Sequence, residues 1–153
     1  PSTISLLPHP TEEFMRRLLF LFAALLFLST AGVSHAQVAV IAHQDVSVDE
    51  ANAETLKAIY LLEQSKWDDG SEIVRFDLNS EGSTKTAFYD HIGQSVSDVK
   101  KVWLRKKLSG AAQPPEKVSS DQMIDKVSST SAAIGYVPAD AVTDAVKVIA
   151  TIE

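Results

Sequence analysis

The sequence predicts an α/β fold: a central, mostly parallel sheet with helices on both faces. Two observations carry this. Short apolar runs rich in β-branched residues alternate with stretches whose apolar positions fall at helical spacing, from residue 37 to the end of the sequence. No internal repeat, low-complexity run or interior linker divides that region, so it reads as one domain. The composition agrees, with 45% hydrophobic and 22% charged residues among 153, ordinary values for a globular protein.

The first 36 residues stand apart. Residues 1–14 read as an upstream extension without a fold of its own, because Glu12-Glu13 set negative charge before Met15. Residues 15–36 have the order of a secretory signal peptide. Arg16-Arg17 precede an unbroken apolar run, Leu18 to Leu28, and a small-residue stretch ends at Ser34-His35-Ala36. As a helix that run rises about 16 Å, roughly half the hydrocarbon core, so a signal is expected rather than an anchor. No Cys follows it, which excludes a lipoprotein anchor. Cleavage is expected before Gln37, leaving 37–153 as a single domain that is periplasmic or secreted.

Within that domain, Gln37–Ala42 is apolar on both faces, as a buried strand is. Ser47-Val48-Asp49-Glu50 has a capping-box pattern, and Leu56, Ile59, Tyr60 and Leu62 predict a helix over about 49–62. Trp67-Asp68-Asp69-Gly70 is turn chemistry. Glu72–Leu78 is the second strand. Ala87, Phe88 and Ile92 mark a helix over about 83–92, closed by Gly93. Ser95 opens another, with Val99, Val102, Trp103 and Leu104 as its apolar positions, ending near Ser109-Gly110. Pro114-Pro115 breaks the chain inside the domain, and Lys117-Val118 is a very short strand. Ser119-Ser120-Asp121-Gln122 caps a helix carrying Met123, Ile124 and Val127. Ala132–Val137 is a buried strand stopped by Pro138, and Ala145–Ala150 is the last strand.

Charge and residue types narrow the function. There are 14 Lys+Arg against 20 Asp+Glu, a net charge of −6, which argues against a nucleic-acid partner, where affinity rests on cations at phosphates. With no Cys, disulfide scaffolds and thiolate-ligated metals are excluded. No His-x-x-x-His pair and no acidic ligand loop is present, so no metal site is expected; Asp68-Asp69-Gly70 lacks the later ligands of a calcium loop. Catalysis has weak support. Downstream of residue 36 only His43 and His91 remain. His91 lies about 12 Å along one helix from Ser83, and there is no nucleophile elbow. The domain is read as a non-enzyme without a cofactor.

The most informative stretch is Asn79-Ser80-Glu81-Gly82-Ser83-Thr84-Lys85-Thr86, which follows a strand and opens a helix. A helix start offers unpaired N–H groups and partial positive charge. Gly82 lets an anion approach the backbone, Ser80, Ser83, Thr84 and Thr86 could supply hydroxyls, and Lys85 could add a cation. An oxyanion site and a plain helix cap both fit this pattern. His43-Gln44-Asp45 follows the first strand. In open α/β sheets ligands sit beyond the carboxyl ends of strands, so His43 is expected to line the same crevice as Ser80–Thr84; a plain surface loop is the other reading. Lys100-Lys101 and Arg105-Lys106-Lys107 make one helix basic, either as a solvated face or as a docking surface for an anionic partner.

Several of these residues fall in a familiar order. Leu56-x-x-Ile59-Tyr60-Leu61, Trp67-x-Asp69-Gly70, Gly82-Ser83-x-x-x-x-Phe88-Tyr89, Trp103, Leu108-Ser109-Gly110, Pro114-Pro115 and Ile134-Gly135-Tyr136-Val137 together resemble the short phosphate-binding-protein-like family. These are relatives of the substrate-binding component of phosphate ABC transporters. The resemblance covers residues 38–142. It implies a single lobe of the type II periplasmic-binding-protein fold and an exported solute-binding module for phosphate or a similar oxyanion, serving an inner-membrane ABC transporter. The family binds phosphate partly through a Ser-Gly-Thr at a helix start. Here Gly82 matches, Ser83 stands for the Thr, and Glu81 stands for the first Ser. The family's Arg four residues earlier is Asp77, while Arg75 lies two residues further back on the same strand face. The alternative is a cell-envelope lobe that binds another protein or serves a structural role, with no ligand of its own.

Overall fold

Val38–Ala42 forms strand β1, and all five of its residues are buried, as a run apolar on both faces requires. The remaining strands are β2 (Val74–Leu78), β3 (Glu116–Val118), β4 (Ala133–Pro138) and β5 (Lys147–Ile152). The helices are α1 (Ala53–Tyr60), α2 (Ser83–His91), α3 (Val96–Leu108) and α4 (Ser120–Ser129), and a 3₁₀ turn covers Ala139–Ala141. This computed structural model describes residues 37–153 together with Phe14, Met15 and Arg17. The chain divides into two compact units, 1–34 and 35–153. The hydrophobic core described below lies in the second. The expected signal peptide and its cleavage point fall outside the described residues, apart from Met15 and Arg17.

The five strands form one sheet in the order β3-β2-β4-β1-β5. β2 pairs in parallel with β3 and with β4. β1 pairs antiparallel with both β4 and β5. Four strands therefore point one way, and β1 alone runs against them from inside the sheet. A register shift at Val40/Ile41 bends the β1–β5 pairing.

Alternation along β4 assigns the helices to faces. Tyr136 stacks on Phe88 of α2 at 4.1 Å and meets Tyr60 of α1 edge-on at 6.1 Å. Trp103 of α3 donates to Tyr60 O at 2.6 Å. Helices α1, α2 and α3 thus share one face. Gly135 points to the other, where a Cβ would lie 2.6 Å from Met123 Sδ and 3.1 Å from Val127 Cγ2 of α4. The absence of a side chain at 135 is what lets α4 lie this close to the sheet.

Two boundaries differ from the sequence reading. Helix α1 starts at Ala53, capped by Asn52, whose side chain accepts from Thr55 N at 2.8 Å. The Ser47 capping box is not used, because Ala51 N donates to Ile149 O at 2.9 Å and holds the preceding segment along the edge of β5. The last strand begins at Lys147 rather than Ala145. The Trp67 turn is anchored where a loop would otherwise be loose: the indole is buried and donates to Ala132 O at 2.9 Å, just before β4.

Candidate functional site

The β2–α2 junction is built by a change of residue type. Val74–Leu78 favours extended backbone, and Asn79-Ser80-Glu81-Gly82 then interrupts it with turn formers. Gly82 is the N-cap of α2 in extended conformation; no side chain caps the helix, and its first turn holds no acidic residue. The leading N–H groups therefore face solvent without a protein acceptor from a cap. Ser80, Gly82 and Ser83 are exposed and Thr84 is half-buried. A Cβ placed at Gly82 would meet nothing within 4 Å, so the space in front of the helix is open. These four residues lie together at the β2–α2 junction.

Lys85 is not with them. It sits one turn before Phe88 and Tyr89, both fully buried, and helical spacing turns all three side chains inward. Its side chain is 1% exposed. The ammonium lies 3.0 Å from Asp77 Oδ2 and donates to Leu78 O at 2.9 Å. The expectation that Lys85 adds a cation on the ligand side is corrected on this geometry.

Asp77 is the centre of a buried polar cluster. Its carboxylate accepts from Tyr89 OH at 2.9 Å and Tyr136 OH at 2.6 Å. Lys117 Nζ, half in solvent, reaches Oδ2 at 3.2 Å and lies 5.6 Å from the centroid of Trp103. Every oxygen of the carboxylate is thus partnered, which is what a fully buried charge requires. Burial pushes the Tyr89 and Tyr136 hydroxyls well above the ordinary phenol range, with neighbouring Asp77 adding to it. Burial lowers the Lys85 ammonium, and Asp77 opposes that shift. At the rim, Glu81 pairs with Lys100 at 2.5 Å and lies 3.9 Å from Lys85; the Lys100 hydrogen bond holds its carboxyl below the usual range. Three lysines against two carboxylates leave the surroundings of the α2 start net positive. Sequence reasoning missed Tyr89, Lys117 and Tyr136 as polar partners, because their signals looked like core aromatics and a short strand.

His43 lies at the opposite end of the sheet. Its N–H donates to Ala133 O at 3.0 Å, at the beginning of β4, which is also the level of Val74 at the beginning of β2. Ser80 is six residues further along, about 20 Å by strand rise. The expected shared crevice assumed that β1 ran with β2; β1 runs antiparallel to β4, so its carboxyl end points away. His43 Nδ1 instead lies 2.7 Å from Asp45 Oδ1. Asp45 in turn accepts from the Ser131 hydroxyl and from Ala132 N at 3.1 Å, a hydrogen-bonded corner that tethers the end of β1 to the start of β4. Arg75 shares the face of Asp77 but points to α1, donating to Ile59 O at 2.5 Å and to Gln64 O. His91 is exposed in the last turn of α2. Among the described residues there is no group of three His, Cys, Asp or Glu able to hold a metal ion, and no helix long and apolar enough to cross a membrane.

The chain is similar in structure to a protein described as a phosphate ABC transporter substrate-binding protein from Clostridium perfringens, solved with bound phosphate (TM-score 0.61, 20% identity, 74% of this chain and 45% of that one). It is similar also to an ABC-type phosphate transport receptor from Vibrio cholerae (TM-score 0.58, 19% identity, 74% and 46%). A third likeness is to a protein from Planctomyces limnophilus described as a phosphate binding protein (TM-score 0.52, 15% identity, 75% and 42%). The chain spans less than half the length of each. At these identities the likeness establishes the fold, a single α/β lobe of the kind found in these proteins. No family model matches the sequence, and no curated protein does.

Proposed function

We propose that the domain is an exported, non-enzymatic solute-binding lobe for phosphate or a similar small oxyanion, working with an inner-membrane ABC transporter. The ligand sits at the start of α2, on the N–H groups that follow Gly82 and the hydroxyls of Ser80, Ser83 and Thr84. The observation that carries this reading is the uncapped, acid-free first turn of α2, opening onto free space at the end of β2. Such a helix start attracts anions through its donors and its dipole. Lys100 and Lys117, both half-exposed, bring cations to the same region, each paired with a carboxylate. The fold shared with phosphate-binding proteins supports the choice of oxyanion.

A specific observation favours a second reading, a partner-binding or structural lobe of the cell envelope without a ligand. Asp77 already occupies the donors of Lys85, Lys117, Tyr89 and Tyr136, so the cluster carries its own anion. Titration calorimetry with phosphate and with sulfate separates the two. The solute-binding reading expects saturable heat with at least one of them. No heat at millimolar ligand would leave the second reading standing.

A further inference from the structure

We propose that the outer face of α3 docks the domain onto an anionic lipid surface. The inner face of this helix is fixed to the core by Val99 and Trp103, and Lys106 Nζ donates to Leu62 O at 2.9 Å. The outer face carries Leu104, 56% exposed, and Leu108, 78% exposed. They are four residues apart and so lie side by side. Lys100, Lys101, Arg105 and Lys107 surround them. Asp98 pairs with Lys101 at 3.0 Å and Glu81 with Lys100 at 2.5 Å; Arg105 and Lys107 have no acidic partner among the described residues. Residues 99–115 contain five cations and no Asp or Glu, in a chain with 20 acidic residues.

This charge distribution selects an anionic partner, and the apolar component selects lipid. Leu108 is the last residue of the helix, 78% exposed, before Ser109-Gly110. A protein partner would have to bring a pocket for it, whereas the boundary between headgroups and acyl chains accepts such a side chain at any point. The flanking cations can reach lipid phosphates while their stems lie along the leucines. Repulsion of the acidic remainder of the domain by the same surface would orient α3 downward. This proposal is independent of any ligand at the start of α2.

The test uses residues 37–153, which contain the described core, so that the apolar run 18–28 contributes nothing. Sedimentation with phosphatidylglycerol vesicles and with phosphatidylcholine vesicles should show binding to the first only, weakening as salt is raised. Arg105→Gln with Lys107→Gln should reduce partitioning about tenfold or more, as should Leu104→Ser with Leu108→Ser. Unchanged melting temperatures would show that these exposed positions do not report folding. Because the chain has no Cys, Leu108→Cys can carry a single environment-sensitive dye, whose emission should shift to the blue on phosphatidylglycerol alone. Equal binding to both lipids, no binding to phosphatidylglycerol, or partitioning indifferent to the loss of Arg105 and Lys107 would overturn the proposal. An acidic protein bound through this face while phosphatidylglycerol is ignored would overturn it too.

Discussion

Asp77→Asn removes one charge from the core and leaves the shape of the side chain and an acceptor for Tyr89 and Tyr136 in place. What remains is a lysine with 1% side-chain exposure that donates to Leu78 O, with the exposed Glu81 carboxylate 3.9 Å away. Removing one partner of a buried pair costs about 3–5 kcal/mol, because the other charge is left uncompensated. Lys85→Met leaves the carboxylate better served, since Lys117, Tyr89 and Tyr136 still hold it; its cost should be about 1–3 kcal/mol. The double variant should cost less than the two single costs together, by about 1–3 kcal/mol of coupling. Against a total stability of about 5–15 kcal/mol these are large effects. Urea unfolding of residues 37–153 at neutral pH measures them. The cost of Asp77→Asn should shrink as pH rises through the folded-state pKa of Lys85, which burial lowers, because a neutral amine needs no counter-ion. A single-variant cost below about 1 kcal/mol, or strict additivity, would refute the claim that this pair is a buried, mutually dependent unit.

The sheet makes a second prediction: Gly135→Val should push against Met123 and Val127 and cost about 1–3 kcal/mol, read as a fall in melting temperature. An unchanged melting temperature would contradict the close approach of α4. Alkaline pH should destabilise the fold, because burial holds Tyr60, Tyr89 and Tyr136 protonated above the ordinary value. Unfolded tyrosines ionise near pH 10, so this stability is complete below that pH. Above it the loss approaches about 4 kcal/mol per pH unit with all three acting. Lys85, lowered in the fold from 10.5, opposes this slope while the unfolded lysine still holds its proton and adds nothing beyond that. Thermal melts across this range check the sign. Mass spectrometry of the exported protein should find a chain that starts at Gln37; a product retaining Leu18–Leu28 would contradict the signal reading.

The parts of the fold legible in the sequence were those fixed by local pattern. Val38–Ala42 and Ala133–Val137 carry continuous apolar runs, and Ser83–His91 follows a clear strand–glycine–helix change. Strand direction was not legible, because it depends on which neighbours a strand meets across the sheet. That is why His43 was expected beside Ser80 and stands at the other end. The role of Lys85 was obscured for a related reason. A lysine in a polar stretch reads as solvent-facing, and only its spacing to Phe88 and Tyr89 placed it inside. Residue 77 was read through the family's arginine; in the fold it is the counter-ion of Lys85, where an arginine would bring two cations together. The Trp67 and Trp103 indoles read as packing, and the structure adds their hydrogen bonds to Ala132 O and Tyr60 O.

The central claim is that the start of α2 binds a small oxyanion, and amide chemical shifts under phosphate titration test it most directly. In residues 37–153 the largest, saturable shifts should fall on the backbone N–H groups of Ser83, Thr84 and Lys85. Gly82→Asp, which places a carboxylate in the open space before the helix, should weaken that response by at least a factor of about ten, roughly 1.4 kcal/mol. No shift at these amides at millimolar phosphate, or shifts centred on His43 at the far end of the sheet, would contradict the claim.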